Sequence, residues 1–260
     1  MKFGLIHLFL GIVLLSGSPA AAFTEGGCGA GDCRDCHAMS KQEAQVLLKG
    51  MVENILEVKL SEVPGLWAVD VENKGQKYPV FIDFSKQYLI AGKILKFATR
   101  EDITMQSYIN LNRVDVSKIP LGDALLIGNP KAAKKVVVFD DPECTFCKKL
   151  HPEMKKVAAE HNDIAFLIKM FPLKNLHPQA YDKAKAIICA NSLALLDDSL
   201  AGKEIPAPTC ATDQVDVNIA LAAELGIKST PTMVFPDGRV FPGFRDAEAI
   251  VKLLTEQPAE

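Results

Sequence analysis

The chain has 260 residues, of which 48% are hydrophobic and 23% are charged, a composition typical of globular proteins and not of fibrous or disordered ones. Its 29 lysines and arginines nearly balance 32 aspartates and glutamates, so no basic excess indicates binding of nucleic acid. The chain also carries seven cysteines, and their positions hold most of the functional information.

Residues 1–22 are typical of a secretory signal peptide. Lys2 supplies a basic start, residues 3–15 are almost wholly apolar, and a run of small residues ends at Ala22. An uncleaved membrane anchor is the alternative, but the apolar run is shorter than the ~20 residues that a spanning helix needs. We therefore expect cleavage near Ala22 and export of a soluble protein to an oxidising compartment, where disulfides persist.

Residues 23–37 form a glycine- and cysteine-rich segment that ends in the pattern Cys33-x-x-Cys36-His37. This spacing attaches c-type haem, whose porphyrin is held by two thioethers while the histidine ligates the iron. A zinc site made of Cys28, Cys33, Cys36 and His37 is a second interpretation. An accessory dithiol with one odd cysteine is a third, and a tail without function is a fourth. We take haem as the first hypothesis, because the CxxCH spacing is specific for c-type haem attachment and the chain is expected to be exported to the compartment where such haem is attached.

Residues 38–98 predict a small α+β unit. Ser40 and Glu43 form a capping box at the start of a short helix, and alternating apolar residues between 55 and 97 predict strands separated by turns. We expect one thin apolar face on this unit, which calls for a partner surface. Residues 99–130 follow as a connecting helix and loop, the helix lying within 99–113.

Residues 131–260 predict an α/β domain in which the elements run strand, helix, strand, helix, helix, strand, strand, helix. The continuous apolar run 136–139 is expected of a central strand buried on both faces, and 164–170 is a second such strand. One helix is predicted over 181–196, and a hairpin turn at 236–238.

The pair Cys144 and Cys147 lies at the junction between the first of these strands and the helix that follows it. Unsatisfied backbone N–H groups at a helix start stabilise a thiolate, so the pKa of Cys144 should fall below the ~8.5 of a free thiol. Cys147, one turn on, is placed to displace Cys144 from a mixed disulfide. Half of a zinc site and a structural bridge are the alternatives, but the C-terminal half offers no second ligand pair. The spacing favours redox chemistry.

A second marker is the dipeptide Thr230–Pro231, which stands just before the predicted hairpin. A proline at this place is compatible with a cis peptide in a tight bend. The alternative is that it simply starts an edge strand. The dipeptide is a weak signal alone and a much stronger one at this place, about 85 residues after a CxxC pair and just before a hairpin and a final helix.

Residues 136–147 together with Thr230–Pro231 resemble a thioredoxin fold, and the chain from residue 23 onward resembles the periplasmic disulfide-bond isomerases of the DsbC/DsbG group. The dipeptide Thr145–Phe146 departs from that group, which often has Gly-Tyr or Pro-Tyr at this place. The further segments that carry the resemblance are residues 139–144, 148–151, 186–190 with Cys210 downstream, and 241–244.

The resemblance implies a thioredoxin-like catalytic domain with a helical insertion, in which Cys189 and Cys210 form a structural disulfide. It implies that Cys144 and Cys147 are catalytic and that Thr230 and Pro231 line the groove that holds the substrate. This thiol exchange requires no cofactor.

The resemblance also implies partners. It predicts a V-shaped homodimer joined through residues 38–98, which makes that unit a dimerisation domain. The substrates are misfolded exported proteins that contain disulfides, and a membrane thiol reductase of the DsbD type keeps the enzyme reduced. Two functions compete with periplasmic disulfide isomerisation. One is electron transfer by a haem-linked thiol protein, and the other is a holdase chaperone that uses an apolar dimer cleft.

Overall fold

A computed structural model describes residues 37–255. The expected signal peptide with its cleavage site near Ala22 lies outside the described residues, and so do Cys28, Cys33 and Cys36. Within 37–255 no helix is both long enough and apolar enough to cross a membrane.

The first unit is a four-stranded antiparallel sheet with strand order β1-β2-β3-β4. Its elements are α1 (Lys41–Leu47), β1 (Asn54–Leu60), β2 (Leu66–Asn73), β3 (Gln76–Asp83) and β4 (Leu89–Ile90). The predicted capping box is present, because Ser40 Oγ accepts the backbone N–H of Glu43 at 3.1 Å. Lys74 and Gly75 both have positive φ in the two-residue turn that joins β2 to β3, a conformation that glycine favours.

The sheet of the first unit buries side chains on both faces, so our expectation of one thin apolar face was wrong. On one face α1 covers a cluster around Trp67 and Val69. On the other face Ile103, at the start of the connecting helix, packs against Ala68 and Phe81. The second face is covered because the connecting helix folds back onto the sheet.

The connecting segment contains α2 (Ile103–Leu111), a 3₁₀ turn at Val116–Lys118 and the strand β5 (Leu125–Gly128). Asp102 caps α2 by accepting the backbone N–H of Met105. We expected residues up to 130 to end in loop, but β5 pairs antiparallel with a strand of the second sheet and buries Leu125 and Ile127. A run of four residues is too short for its alternation to be distinguished from loop.

The second unit is a five-stranded mixed sheet with strand order β5-β7-β6-β8-β9, flanked by five helices. The predicted strand and helix order is confirmed, except that the helix over 181–196 is two helices separated by Asn191 in the left-handed conformation. The elements are β6 (Lys134–Asp140), α3 (Thr145–Glu160), β7 (Ile164–Met170), α4 (Ala180–Ala190), α5 (Leu193–Leu200), α6 (Gln214–Glu224), β8 (Thr232–Val234), β9 (Val240–Pro242) and α7 (Ala247–Thr255).

Strand β6 is central, and helices cover both of its faces. Val136 and Val138 lie in a core cluster with side chains of α3 and α7. Val137 and Phe139 lie in a second cluster that includes Ala222 of α6. Burial on both faces explains why this strand is a continuous apolar run without alternation. It also fixes the end of β6, from which the chain enters the cysteine pair.

The connecting segment is anchored to the β8–β9 hairpin. The backbone N–H of Val114 donates to the carbonyl of Gly238 at 2.9 Å. Gly238 has φ +85°, and a Cβ placed on it would lie 2.3 Å from the carbonyl oxygen of Val114. Only glycine fits this turn, both for its backbone conformation and for the close approach.

Candidate active site

The helix that follows β6 places Cys144 at its N-cap. Cys144 has extended backbone angles, α3 begins at Thr145, and no side chain caps the helix start. The backbone N–H groups of Phe146 and Cys147 therefore point toward the sulfur of Cys144 and help to lower its pKa. The described cysteines Cys144 and Cys147 are not disulfide-bonded in this structure.

The turn that leads into Cys144 is held in place by a short network of hydrogen bonds. The carbonyl of Asp141 accepts the backbone N–H of Cys144 at 3.0 Å, and Asp141 Oδ1 accepts that of Glu143 at 2.8 Å. Ser199 Oγ, from α5, donates to the carbonyl of Pro142 at 2.8 Å. The helical insertion, which consists of α4, α5 and α6 between β7 and β8, therefore supports the turn that positions the nucleophile.

The two thiols differ in pKa. The hydrogen bond from Cys147 is the largest influence on Cys144 and outweighs burial, so that the pKa of Cys144 falls to about 6. Burial, followed by that same hydrogen bond and the charge of Asp140, raises the pKa of the Cys147 thiol far above its ordinary value. Cys144 is thus a thiolate at neutral pH, whereas Cys147 keeps its proton.

Thr230 and Pro231 lie against the cysteine pair. Their peptide bond is cis, and strand β8 begins at the next residue. The carbonyl oxygen of Thr230 is 3.4 Å from Cys144 Sγ, and the carbonyl of Pro231 accepts the backbone N–H of Gly243 at 2.7 Å. The cis bend is therefore present. The alternative, the start of an edge strand, was wrong, because β8 lies inside the sheet and pairs with both β6 and β9.

The structure adds His177 to the site, a residue that the sequence pattern did not single out for this role. Its Nδ1 lies 2.9 Å from Asp141 Oδ2, which also accepts the backbone N–H of Leu173 at 2.7 Å. Burial alone would lower the pKa of His177, but the hydrogen bond and charge of Asp141 and the nearby Cys144 raise it. Residue spacing gives no signal for this pair, because 36 positions separate its members.

Cys189 and Cys210 are bonded to each other, with their Cα atoms 5.5 Å apart and 21 positions between them in the chain. The bond joins the C-terminal end of α4 to the segment before α6. This is the pairing that the resemblance implied, and it lies within the helical insertion.

The proposed haem ligand His37 is the first residue that the structure describes. Its ring packs against Phe84 with 4.5 Å between centroids, and Phe84 in turn packs against Trp67. Among residues 37–255 no group of three histidine, cysteine or acidic side chains is placed to hold a metal ion. The haem and zinc hypotheses stay predictions, because their cysteines lie outside this range.

Comparison with known proteins gives one family model, described as a thioredoxin-like domain, which matches residues 123–258. A probable thiol:disulfide interchange protein DsbC of Bordetella avium is 28% identical over 159 residues, a match that covers 60% of this chain and 55% of that protein. The match therefore spans little more than half of that relative's length.

Thiol:disulfide interchange protein DsbC of Dickeya dadantii is 26% identical over 205 residues, covering 78% of this chain and 82% of the relative. A solved disulfide interchange protein from Neisseria gonorrhoeae is 30% identical, with a TM-score of 0.46, and the match covers 54% of this chain and all of that one.

Proposed function

Because the chain belongs to the thioredoxin-like domain family, we propose that it is a protein disulfide isomerase and reductase of the periplasm. It acts by thiol–disulfide exchange through Cys144 and Cys147. The relatives named as DsbC thiol:disulfide interchange proteins support this activity. The observation that carries the proposal is the asymmetry of the cysteine pair. Cys144 lies at the N-cap of α3 with its pKa lowered to about 6, whereas Cys147 is fully buried and its pKa is raised.

In the first step the Cys144 thiolate attacks one sulfur of a wrong disulfide in the substrate. The substrate S–S bond breaks, a new bond joins Cys144 to the attacked sulfur, and the electron pair leaves with the other substrate sulfur as a thiolate. The positive end of α3 and the hydrogen bond from Cys147 stabilise the attacking thiolate.

The mixed disulfide has two exits. A second substrate thiol attacks it, which releases Cys144 and leaves the substrate with a rearranged disulfide. Otherwise Cys147 loses its proton and attacks Cys144, which reduces the substrate and oxidises the enzyme pair. A membrane thiol reductase of the DsbD type then restores the dithiol.

We assign misfolded exported proteins as the substrates, with Thr230 and Pro231 lining the groove that holds the substrate strand. Exposed apolar side chains between the two cysteines and beside His177 in the chain support this assignment. Phe146, between the two cysteines, is 54% exposed, and Leu176, next to His177, is 69% exposed. Apolar surface of this kind favours unfolded chains over native ones.

We propose a homodimer joined through residues 38–98. The support is a set of seven exposed apolar side chains with Phe97 91% exposed; five lie within residues 38–98, at β4 and in the segments next to it, and two lie on the adjoining helix α2. A monomer that left this set in water would be prone to association. The set consists of Tyr88, Leu89, Ile90, Leu95, Phe97, Met105 and Tyr108.

Sedimentation tests the dimer. The wild-type chain should sediment as a dimer, and Phe97→Glu should be monomeric, because a charge then occupies the proposed interface. Val217→Glu is the matched control, since Val217 is an exposed residue of α6 outside residues 38–98, and it should remain dimeric. A monomeric wild type would contradict the arrangement.

We propose covalent haem at Cys33, Cys36 and His37 as a separate property. The spacing and the expected export support it, whereas thiol exchange itself needs no cofactor. A holdase chaperone is the alternative function, and the exposed apolar set favours it. Suppression of aggregation of a cysteine-free substrate by the Cys144→Ala protein would indicate the holdase.

The enzymatic test is recovery of a small exported protein whose disulfides have been scrambled. The reduced wild type should restore its activity at catalytic concentration, and Cys144→Ala should not, because Cys147, the other free thiol among the described residues, is fully buried and its pKa is raised. Cys147→Ala should keep part of the isomerase activity but lose reductase activity. Equal recovery with wild type and Cys144→Ala would contradict the proposed function.

A further inference from the structure

A polar cleft of about 380 Å³ lies in the first unit, between the sheet and the connecting helix α2. Every residue that lines it belongs to β1, β2, β3, α2 or the segments beside them, so the cleft is separate from the candidate active site. The exposed apolar set that we propose as the dimer interface shares no residue with its lining. The proposed dimer therefore does not require the cleft to be covered.

Asp70 places a buried carboxylate on the wall of this cleft. The residue is 4% exposed, and its Oδ2 accepts a hydrogen bond from Lys59 Nζ at 2.9 Å. Its other oxygen, Oδ1, is buried and has no hydrogen-bond partner among residues 37–255. A buried carboxylate oxygen without a donor costs free energy that an apolar side chain would not. A donor group held in the cleft would supply the missing bond.

The charged side chains that line the cleft leave an excess of negative charge. Lys59 is shared between two carboxylates, because its Nζ is 3.3 Å from Glu57 Oε2 as well as 2.9 Å from Asp70 Oδ2. Glu62 is the third lining carboxylate, and Arg113, the second lining cation, donates to an amide oxygen at the end of α2. Three carboxylates thus face two cations, so a ligand with one positive charge would balance the cleft.

The helix adds neutral polar groups to the opposite wall. Gln106, Ser107 and Asn110 all line the cleft, and they share one face of α2 because they are three and four positions apart. Their amide and hydroxyl oxygens can accept hydrogen bonds. The cleft therefore offers a carboxylate oxygen on the sheet and neutral acceptors on the helix, a pattern that suits a group with several N–H donors and a positive charge.

We propose that this cleft binds the ammonium or guanidinium group of a cationic ligand, which donates one N–H to Asp70 Oδ1. Two sources present this chemistry: a small free amine or guanidine, and a basic side chain of an extended polypeptide. The bound group bridges β2 to α2 and so stabilises the packing of the connecting helix on the sheet. The cysteine pair takes no part, and the site is a property beyond the proposed thiol exchange.

Isothermal titration of the full chain at pH 7 tests the proposal with two probes. The first is agmatine, a small free guanidine. The second is a flexible glycine- and serine-rich peptide with blocked ends and a single arginine, which is compared with the same peptide carrying uncharged citrulline. At least one probe should bind, and the citrulline peptide should bind at least about tenfold more weakly than an arginine peptide that binds. Binding of agmatine alone assigns the site to a small free cation, and binding of the arginine peptide assigns it to a basic side chain.

Asp70→Asn should weaken the binding of either probe by at least about tenfold, because the hydrogen bond then loses its charged acceptor. Glu72→Gln is the matched control. Glu72 is a carboxylate of the same strand that accepts from Asn54 Nδ2 at 3.2 Å and lies outside the lining, so this variant should bind like the wild type. Gln106→Lys changes an exposed position of α2 and brings an ammonium group of the chain itself to the cleft. It should also weaken binding by about tenfold, through competition for Asp70.

A wild type that binds neither probe would overturn the proposal and leave Asp70 Oδ1 to water alone. Equal weakening by Asp70→Asn and Glu72→Gln would also overturn it, because the effect would then come from net charge. If Asp70→Asn does not fold, unchanged binding in Gln106→Lys overturns it. Recovery of a scrambled substrate by Gln106→Lys should equal that of the wild type, so failure of the cation site is distinguished from failure of the exchange function.

Discussion

The reactivity of Cys144 should depend on pH with a midpoint at a pKa of about 6. At pH 7 such a thiol is about nine-tenths thiolate, whereas a free thiol with pKa ~8.5 is about 3% thiolate. The intrinsic nucleophilicity of a thiolate falls as its pKa falls, with a Brønsted slope of about 0.4–0.5. The Cys144 thiolate is therefore roughly tenfold less nucleophilic than the thiolate of a free thiol, which offsets part of its higher population. The net advantage of Cys144 is therefore about threefold at pH 7 and rises to about 30-fold at pH 5, where free thiols are almost fully protonated.

Alkylation with iodoacetamide between pH 4.5 and 9, followed by peptide mapping, measures this dependence. The native reduced chain should label Cys144 with a midpoint near pH 6, and Cys147 should stay unlabelled because it is buried and protonated. The same chain in denaturant is the control and should label both cysteines with a midpoint near the ~8.5 of a free thiol. Labelling of Cys147 before Cys144, or a native midpoint near 8.5, would refute the assignment of the nucleophile.

Four further results are expected. Cys147→Ala should raise the pKa of Cys144, measured by the same alkylation, because the hydrogen bond from Cys147 is the largest influence that lowers it. Replacing Cys189 and Cys210 together by alanine should lower the free energy of unfolding by about 3 kcal/mol in denaturant titrations, from the loss of a loop of 21 positions. Gly238→Ala should lower the free energy of unfolding by more than about 1 kcal/mol, because the added Cβ would collide with the backbone of the connecting segment. An unchanged midpoint in a denaturant titration would contradict this. Protein exported from a host that attaches c-type haem should show a Soret band that survives denaturation, and colourless protein would exclude the haem-linked electron-transfer alternative.

Much of the second sheet could be predicted because its signals are local. The apolar run of β6 is continuous since both faces are covered, and the break at Asp140 marks the start of the site. The pair Cys144 and Cys147 follows that break at the helix start, so spacing alone indicated a redox pair. The capping box at Ser40 is likewise a local pattern that the fold preserves.

The parts that sequence reasoning missed depend on contacts between distant residues. Strand β5 is stabilised by pairing with β7, and its four residues have too little pattern of their own. The predicted single helix divides at Asn191, a residue type that tolerates the left-handed conformation but does not require it. His177 meets Asp141, and Asp197 meets His151, only once the helical insertion has folded over the active site.

The most direct test of the account is capture of the Cys144 adduct. Cys147→Ala, reduced and mixed with a scrambled substrate protein at pH 8, should accumulate a mixed disulfide whose mass equals the sum of the two chains, and peptide mapping should place the bond at Cys144. The double variant Cys144→Ala/Cys147→Ala should give no such species. An adduct of equal yield in the double variant, or one mapped to another cysteine, would contradict the claim that Cys144 is the attacking thiol.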